Sequence, residues 1–192
     1  MNIVAEALGS YYHYKGIFCR LDGDNRGAME LFAMVIEKYE EALGSNPTNK
    51  QLLRLCALCW ERLSELQMSR GSNLEEVTFS LSDPRIEKTD QYYIRAVEAD
   101  KQDAVTLYAY AKFLWRCNRV ERAEEYFLQS LEANPTDISC LRDYAKFLTI
   151  RGESAQSERL AALANAISKE RASDKETQAG ASKEKDGKEK HK

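Results

Sequence analysis

A stretch of this chain repeats itself in register, Tyr93 to Leu114 against Phe127 to Leu148. Tyr93-Ile-Arg-Ala-Val97-Glu-Ala-Asp-Lys-Gln-Asp103 leads to Leu107 and then to Tyr110-Ala111-Lys-Phe-Leu114. One period on, Phe127-Leu-Gln-Ser-Leu131-Glu-Ala-Asn-Pro135-Thr-Asp137 leads to Leu141 and Tyr144-Ala145-Lys-Phe-Leu148. Within each copy the apolar residues fall three or four apart, the spacing of one helix face. A fixed period of this length marks stacked helix pairs, because a single pair cannot bury its apolar face alone. The reading is therefore an all-α chain of repeated helix pairs.

Composition agrees with this and narrows the class. Hydrophobic residues make up 43% and charged residues 31% of the 192, with only 3 Pro and 9 Gly. No apolar run approaches the roughly 20 residues that span a bilayer, and the opening Met-Asn-Ile-Val-Ala-Glu-Ala-Leu lacks the basic start of a signal peptide. Five cysteines, at 19, 56, 59, 117 and 140, read as reduced core residues of an intracellular protein, cytoplasmic or nuclear. From Lys169 onward the chain holds 8 Lys/Arg against 6 Asp/Glu, leaving 20 against 25 before it. Neither balance is the basic footprint of a nucleic-acid binder.

The most regular unit places Leu107, Tyr110, Ala111, Leu114, Ala123, Phe127, Leu131 and Pro135 on the facing sides of two helices. This resembles the tetratricopeptide repeat, with small residues where the helices approach closely and a Pro ending the unit. The next unit reads Leu141, Tyr144, Ala145, Leu148, Gly152, Ala161, Ala164 and Ile167. Asp137 is placed to cap the helix that opens it. Upstream, Leu53, Cys56, Ala57 and Trp60 fit a first helix, and Tyr93, Ala96 and Val97 its partner.

Before these, Ala5, Leu8, Gly9, Tyr12 and Gly16 fit another first helix. Its partner runs from Met29 to Leu43, after an extended turn at Asp22-Gly-Asp-Asn-Arg-Gly27. The resemblance spans residues 2–168 and implies a right-handed superhelix of about four antiparallel helix pairs, with a domain over 1–168. The step from Tyr39 to Tyr93 overshoots the period by more than half of it. The surplus is read as an insertion loop over about 67–89, rich in Ser, Gly and Asn. From 169 to 192 Lys and Glu alternate with Gly, Ser and Ala, so that stretch reads as a disordered charged tail.

Sites of chemistry fail on inspection. Cys56-Ala-Leu-Cys59 has metal or redox spacing, but zinc needs two further ligands and the chain has only His13 and His191. The redox motif needs a preceding strand. Asp22 to Gly27 begins like a calcium loop, yet Arg26 and Ala33 stand where oxygen ligands belong. No phosphate loop or nucleophile motif appears. The chain reads as no enzyme, with no cofactor and no metal.

The resemblance implies a binding surface instead. In tetratricopeptide arrays the first helices line a concave face that holds extended peptides. The positions that would face it carry Arg54, Glu61 and Arg62 in one unit; Tyr108, Lys112, Trp115 and Arg116 in the next; and Arg142 and Lys146 in the third. Six cations against one acid suit an acidic or carboxylate-bearing peptide, with Tyr108 and Trp115 as anchors. The clamp that some family members use for Glu-Glu-Val-Asp tails needs Asn residues that are missing here. The expectation is an adaptor or scaffold for an acidic protein segment. A half-a-tetratricopeptide RNA-processing component, or a self-assembling repeat protein, is the alternative.

Overall fold

The computed structural model describes residues 3–68 and 79–189. Among them are eight helices and no strand: α1 (Ile3–Leu21), α2 (Asn25–Ser45), α3 (Lys50–Met68), α4 (Pro84–Ala99), α5 (Ala104–Arg116), α6 (Val120–Ala133), α7 (Ile138–Ile150) and α8 (Ser154–Glu189). They form four consecutive pairs. The chain divides into two units, residues 1–133 with α1 to α6 and residues 134–192 with α7 and α8. In the first unit α1 packs on α2, α2 on α3, α3 on α4 and α5 on α6. In the second, α7 packs on α8.

The repeat positions are the buried ones. Leu53, Leu107 and Leu141 are all within 2% of full burial, and Ala57, Ala111 and Ala145 stand at equivalent close approaches. Tyr93, Tyr110 and Phe113 make a continuous aromatic core in the first unit, with Tyr93 stacked on Tyr110 at 5.4 Å, and Phe127 is fully buried beside Tyr108 and Trp115. Gly9 answers to Ala57 and Ala111 but is held more tightly. A Cβ there would collide with Cε1 of the fully buried Tyr39.

Helix starts follow one chemistry. Asn49, Asp103 and Asp137 each accept from backbone N–H groups of the helix they precede, satisfying donors that have no partner inside the helix. Helix ends follow another. Asn118 (φ 55) and Gly152 (φ 85) lie one period apart, and both adopt the left-handed conformation that stops α5 and α7. In α3 the corresponding residue is Ser64, which stays helical and fully buried, so α3 runs on to Met68.

That overrun accounts for a correction to the insertion. Helix occupies both of its expected ends, up to Met68 and again from Pro84. Asp83 accepts from the Arg85 N–H, and Pro84 brings a φ preset for a first helical turn. Ile86 and Thr89 are then buried in α4 rather than in a loop. Residues 69–78, the remainder of the insertion, lie outside the described residues.

The first turn is also shorter than expected. α2 begins at Asn25, capped by Asp24, with Gly23 (φ 83) making the reversal. α8 carries helical backbone on to Glu189, through most of the charged tail. Arg171 donates to the Thr136 carbonyl at 2.9 Å. Beyond it the sequence holds no aliphatic residue larger than Ala.

Candidate functional site

Four of the residues expected on the binding face share α5. Of these, Tyr108, Lys112 and Trp115 fall at helical spacings of four and three, which puts them on one side of the helix. All three are half-buried. The Lys112 Nζ lies 5.2 Å from the Tyr108 ring centre, and Tyr108 and Trp115 both lean on Phe127 of α6, at 6.4 and 6.3 Å. α6 therefore fixes the two rings, and Tyr108 carries the ammonium beside its face.

Arg116 behaves differently from the groove cation that the sequence suggests. Its guanidinium donates to Glu61 at 2.8 Å and to Glu65 at 3.1 Å, both on α3. Glu65 also accepts from Arg20 of α1 and from Arg62, each at 2.9 Å. Tyr93 donates its hydroxyl to Glu61 at 3.0 Å. The Glu61 and Glu65 side chains are only 7% and 6% exposed, so Glu61 is a core residue rather than part of an exposed face.

Two carboxylates at this depth would cost several kcal/mol each without partners. Three arginines and a tyrosine supply them. Arg62 and Arg116 are thereby committed inside the protein. The repeat positions implied by the resemblance give no sign of this, because the depth of Glu61 and Glu65 depends on what α1 and α5 lay over α3.

Phe79 completes the arrangement. It is 5% exposed, its N–H donates to the Arg116 carbonyl at 3.0 Å, and the Arg116 guanidinium sits 4.2 Å from its ring centre. A lone Phe between a Thr and a Ser, in Thr78-Phe79-Ser80-Leu81, is the one sequence signal that the insertion ends in the core.

Arg54 is half-buried on α3. His13 of α1 approaches Cys59 at 3.2 Å, Nδ1 to Sγ. Burial lowers the His13 pKa, and the charges of Arg62 and Arg54 lower it further. Burial raises the Cys59 thiol and pushes Cys56 up to about 12. A protonated thiol beside a neutral imidazole is a core contact without a thiolate nucleophile. Among the described residues no three His, Cys, Asp or Glu side chains gather as a metal site.

In the second unit Arg142 and Lys146 are exposed on α7, with Lys146 3.5 Å from Asp143. They occupy the same repeat positions as Tyr108 and Lys112 of α5, one period on.

Residues 104–147, which cover α5, α6 and most of α7, match the tetratricopeptide repeat family model. No curated protein matches the chain. Among solved structures, MamA MSR-1 in its C2 form is similar at 14% identity and a TM-score of 0.51, over 84% of this chain and 97% of that one. The MamA RS-1 ArsTM double mutant is similar at 10% identity and 0.53, over 85% and 76%. MamA AMB-1 in its P212121 form is similar at 15% identity and 0.51, over 85% and 93%. At these identities the likeness is one of fold, and the repeat and the helix-pair fold are both of the tetratricopeptide type. Among the described residues no helix is long and apolar enough to cross a membrane.

Proposed function

We propose that this chain, which carries a tetratricopeptide repeat, is an adaptor that holds an acidic or carboxylate-bearing peptide against its first-of-pair helices. The supporting observation is the α5 face, where Lys112 stands over the Tyr108 ring beside the half-buried Trp115. Aromatic rings braced from behind lose little side-chain entropy when a ligand covers them. A cation among them gives a carboxylate a partner in partly desolvated surroundings.

The proposed contacts are Arg54, Tyr108, Lys112 and Trp115 of the first unit; Arg142 and Lys146, exposed on α7 of the second unit, are proposed as carboxylate contacts in their own right. Arg62 and Arg116 contribute differently. Held by Glu61 and Glu65, they serve with Arg20 in a cluster of three positive and two negative side chains, which keeps the local potential positive.

The test is affinity capture from cell extract with wild type and the triple variant Lys112→Glu, Arg142→Glu, Lys146→Glu. All three side chains lie outside the Glu61–Glu65 network, so reversal leaves the core intact and helical circular dichroism should be unchanged. Partners carrying acidic segments should be lost from the variant. If the partner set is the same for both proteins, the α5 and α7 cations are not the binding site.

A further inference from the structure

One face of α1 carries Tyr11, Tyr14, Phe18 and Leu21, which are 59, 64, 65 and 71% exposed. The opposite face packs on α2 through Gly9 against Tyr39, and through Gly16 and His13 against Phe32. The exposed four are spaced three, four and three residues apart. That is the a/d pattern of a helix seam, which turns toward a partner helix. Aromatic side chains carry roughly 150–250 Å² each, so this stripe leaves on the order of 500 Å² of apolar surface in water. A contiguous patch of that size is often functional.

The repeat register says what kind of surface it is. Counting from the small residue of each first helix (Gly9, Ala57, Ala111), Tyr11 answers to Cys59 and to Phe113. Both of those are fully buried. Cys59 is covered by His13 of the preceding pair, and Phe113 packs 5.3 Å from Tyr93 of the pair before it. Phe18 answers to Leu66, which is also buried. The stripe on α1 thus occupies the positions at which later first helices receive a neighbouring helix.

We propose that this face receives α1 of a second copy of the chain, forming a two-fold dimer through the Tyr11–Tyr14–Phe18–Leu21 seam. The remaining exposed large apolar side chains among the described residues are Met34, Val105, Leu128, Ile150 and Leu163. They lie one each on α2, α5, α6, α7 and α8, so none of those helices offers a second stripe. Among the described residues no other stripe can cover the seam, which leaves the seam itself, and an isologous two-fold contact is the commonest way for a patch to cover itself. Two stripes together remove about 1,000 Å², the lower bound for a specific interface, which points to a reversible dimer of micromolar strength.

Sedimentation equilibrium of the full chain from about 1 to 200 µM spans such an association. The wild type should move from monomer to dimer across that range, with no weakening in added salt, because the seam is apolar. Phe18→Glu with Leu21→Glu should raise the dissociation constant at least tenfold with unchanged circular dichroism, whereas Leu128→Glu should leave it unaltered. A photoreactive benzoylphenylalanine at position 14 should give a covalent dimer, and the same group at position 128 should not.

A wild type that stays monomeric to about 200 µM would overturn the proposal and leave the face to an amphipathic helix of another protein. A dimer indifferent to the Phe18 and Leu21 changes would also overturn it and place self-association elsewhere. None of these variants touches Lys112, Arg142 or Lys146, so the outcome is independent of the peptide-binding reading.

Discussion

Arg116 donates to Glu61 across 2.8 Å and so joins α5 to α3 under the ring of Phe79. The bond couples two neighbouring helix pairs through charges that neither pair could bury alone. When Arg116 is lost Glu61 keeps the Tyr93 hydroxyl and the charge of nearby Arg62, while Glu65 keeps Arg20 and Arg62 as hydrogen-bonded partners. Cations that hold the fold are thus distinct from those on the proposed peptide-binding face.

Arg116→Met keeps the stem's bulk and removes the charge. It should destabilise the protein by about 3 kcal/mol, the scale on which breaking one partner of a buried ion pair strands the other. Urea denaturation followed by circular dichroism measures this as a lower midpoint at unchanged slope. A loss below about 0.5 kcal/mol would mean that Glu61 is satisfied by solvent, and that Arg116 belongs with the surface cations after all.

Two glycines should respond to alanine in opposite directions. At Gly9 the new methyl meets the buried Tyr39 ring, and overpacking of this kind costs about 1–3 kcal/mol. At Gly44 a Cβ meets nothing within 4 Å. There the substitution should stabilise by up to about 1 kcal/mol, since alanine favours the helix over glycine. Thermal unfolding of the two variants side by side checks both signs. Equal effects would sink the claim that Gly9 is fixed by the approach of α2 to α1.

His13 should give the fold a mild acid sensitivity. Its folded pKa lies below the ordinary 6.5, because burial and then Arg62 and Arg54 disfavour the imidazolium. The unfolded chain therefore binds more protons near this pH, and stability rises with pH through the interval. The contribution is complete above pH 6.5 and is lost progressively as the pH falls below it. Denaturation midpoints at pH 7.5 and 5.5 should differ more in wild type than in His13→Gln. Identical differences would place the pH dependence in other groups.

The helix pairs and the buried repeat positions of the 103–152 stretch could be read from the chain, whereas the ends of α3, α4 and α8 could not. Leu107, Ala111, Ala123 and Phe127 recur at spacings that only a helix face satisfies, and Asp137 and Gly152 mark a start and a stop by local backbone chemistry. Such signals lie within one turn or one repeat, so a linear pattern carries them.

Features that depend on folding are of another kind. The repeat resemblance implies that Glu61, Arg62 and Arg116 share an open face, but packing between pairs puts the carboxylates in the interior with the arginines drawn in after them. Phe79 reaches the core from a polar insertion, and Tyr11, Tyr14, Phe18 and Leu21 stay in water on a helix that reads like its buried counterparts. Burial depends on what another helix lays over a residue, and that is settled only when distant segments meet. Helices and their pairing are written into the order of residues. Which charged and aromatic side chains the core consumes, and which it leaves outward, follows from the packing of one pair on the next.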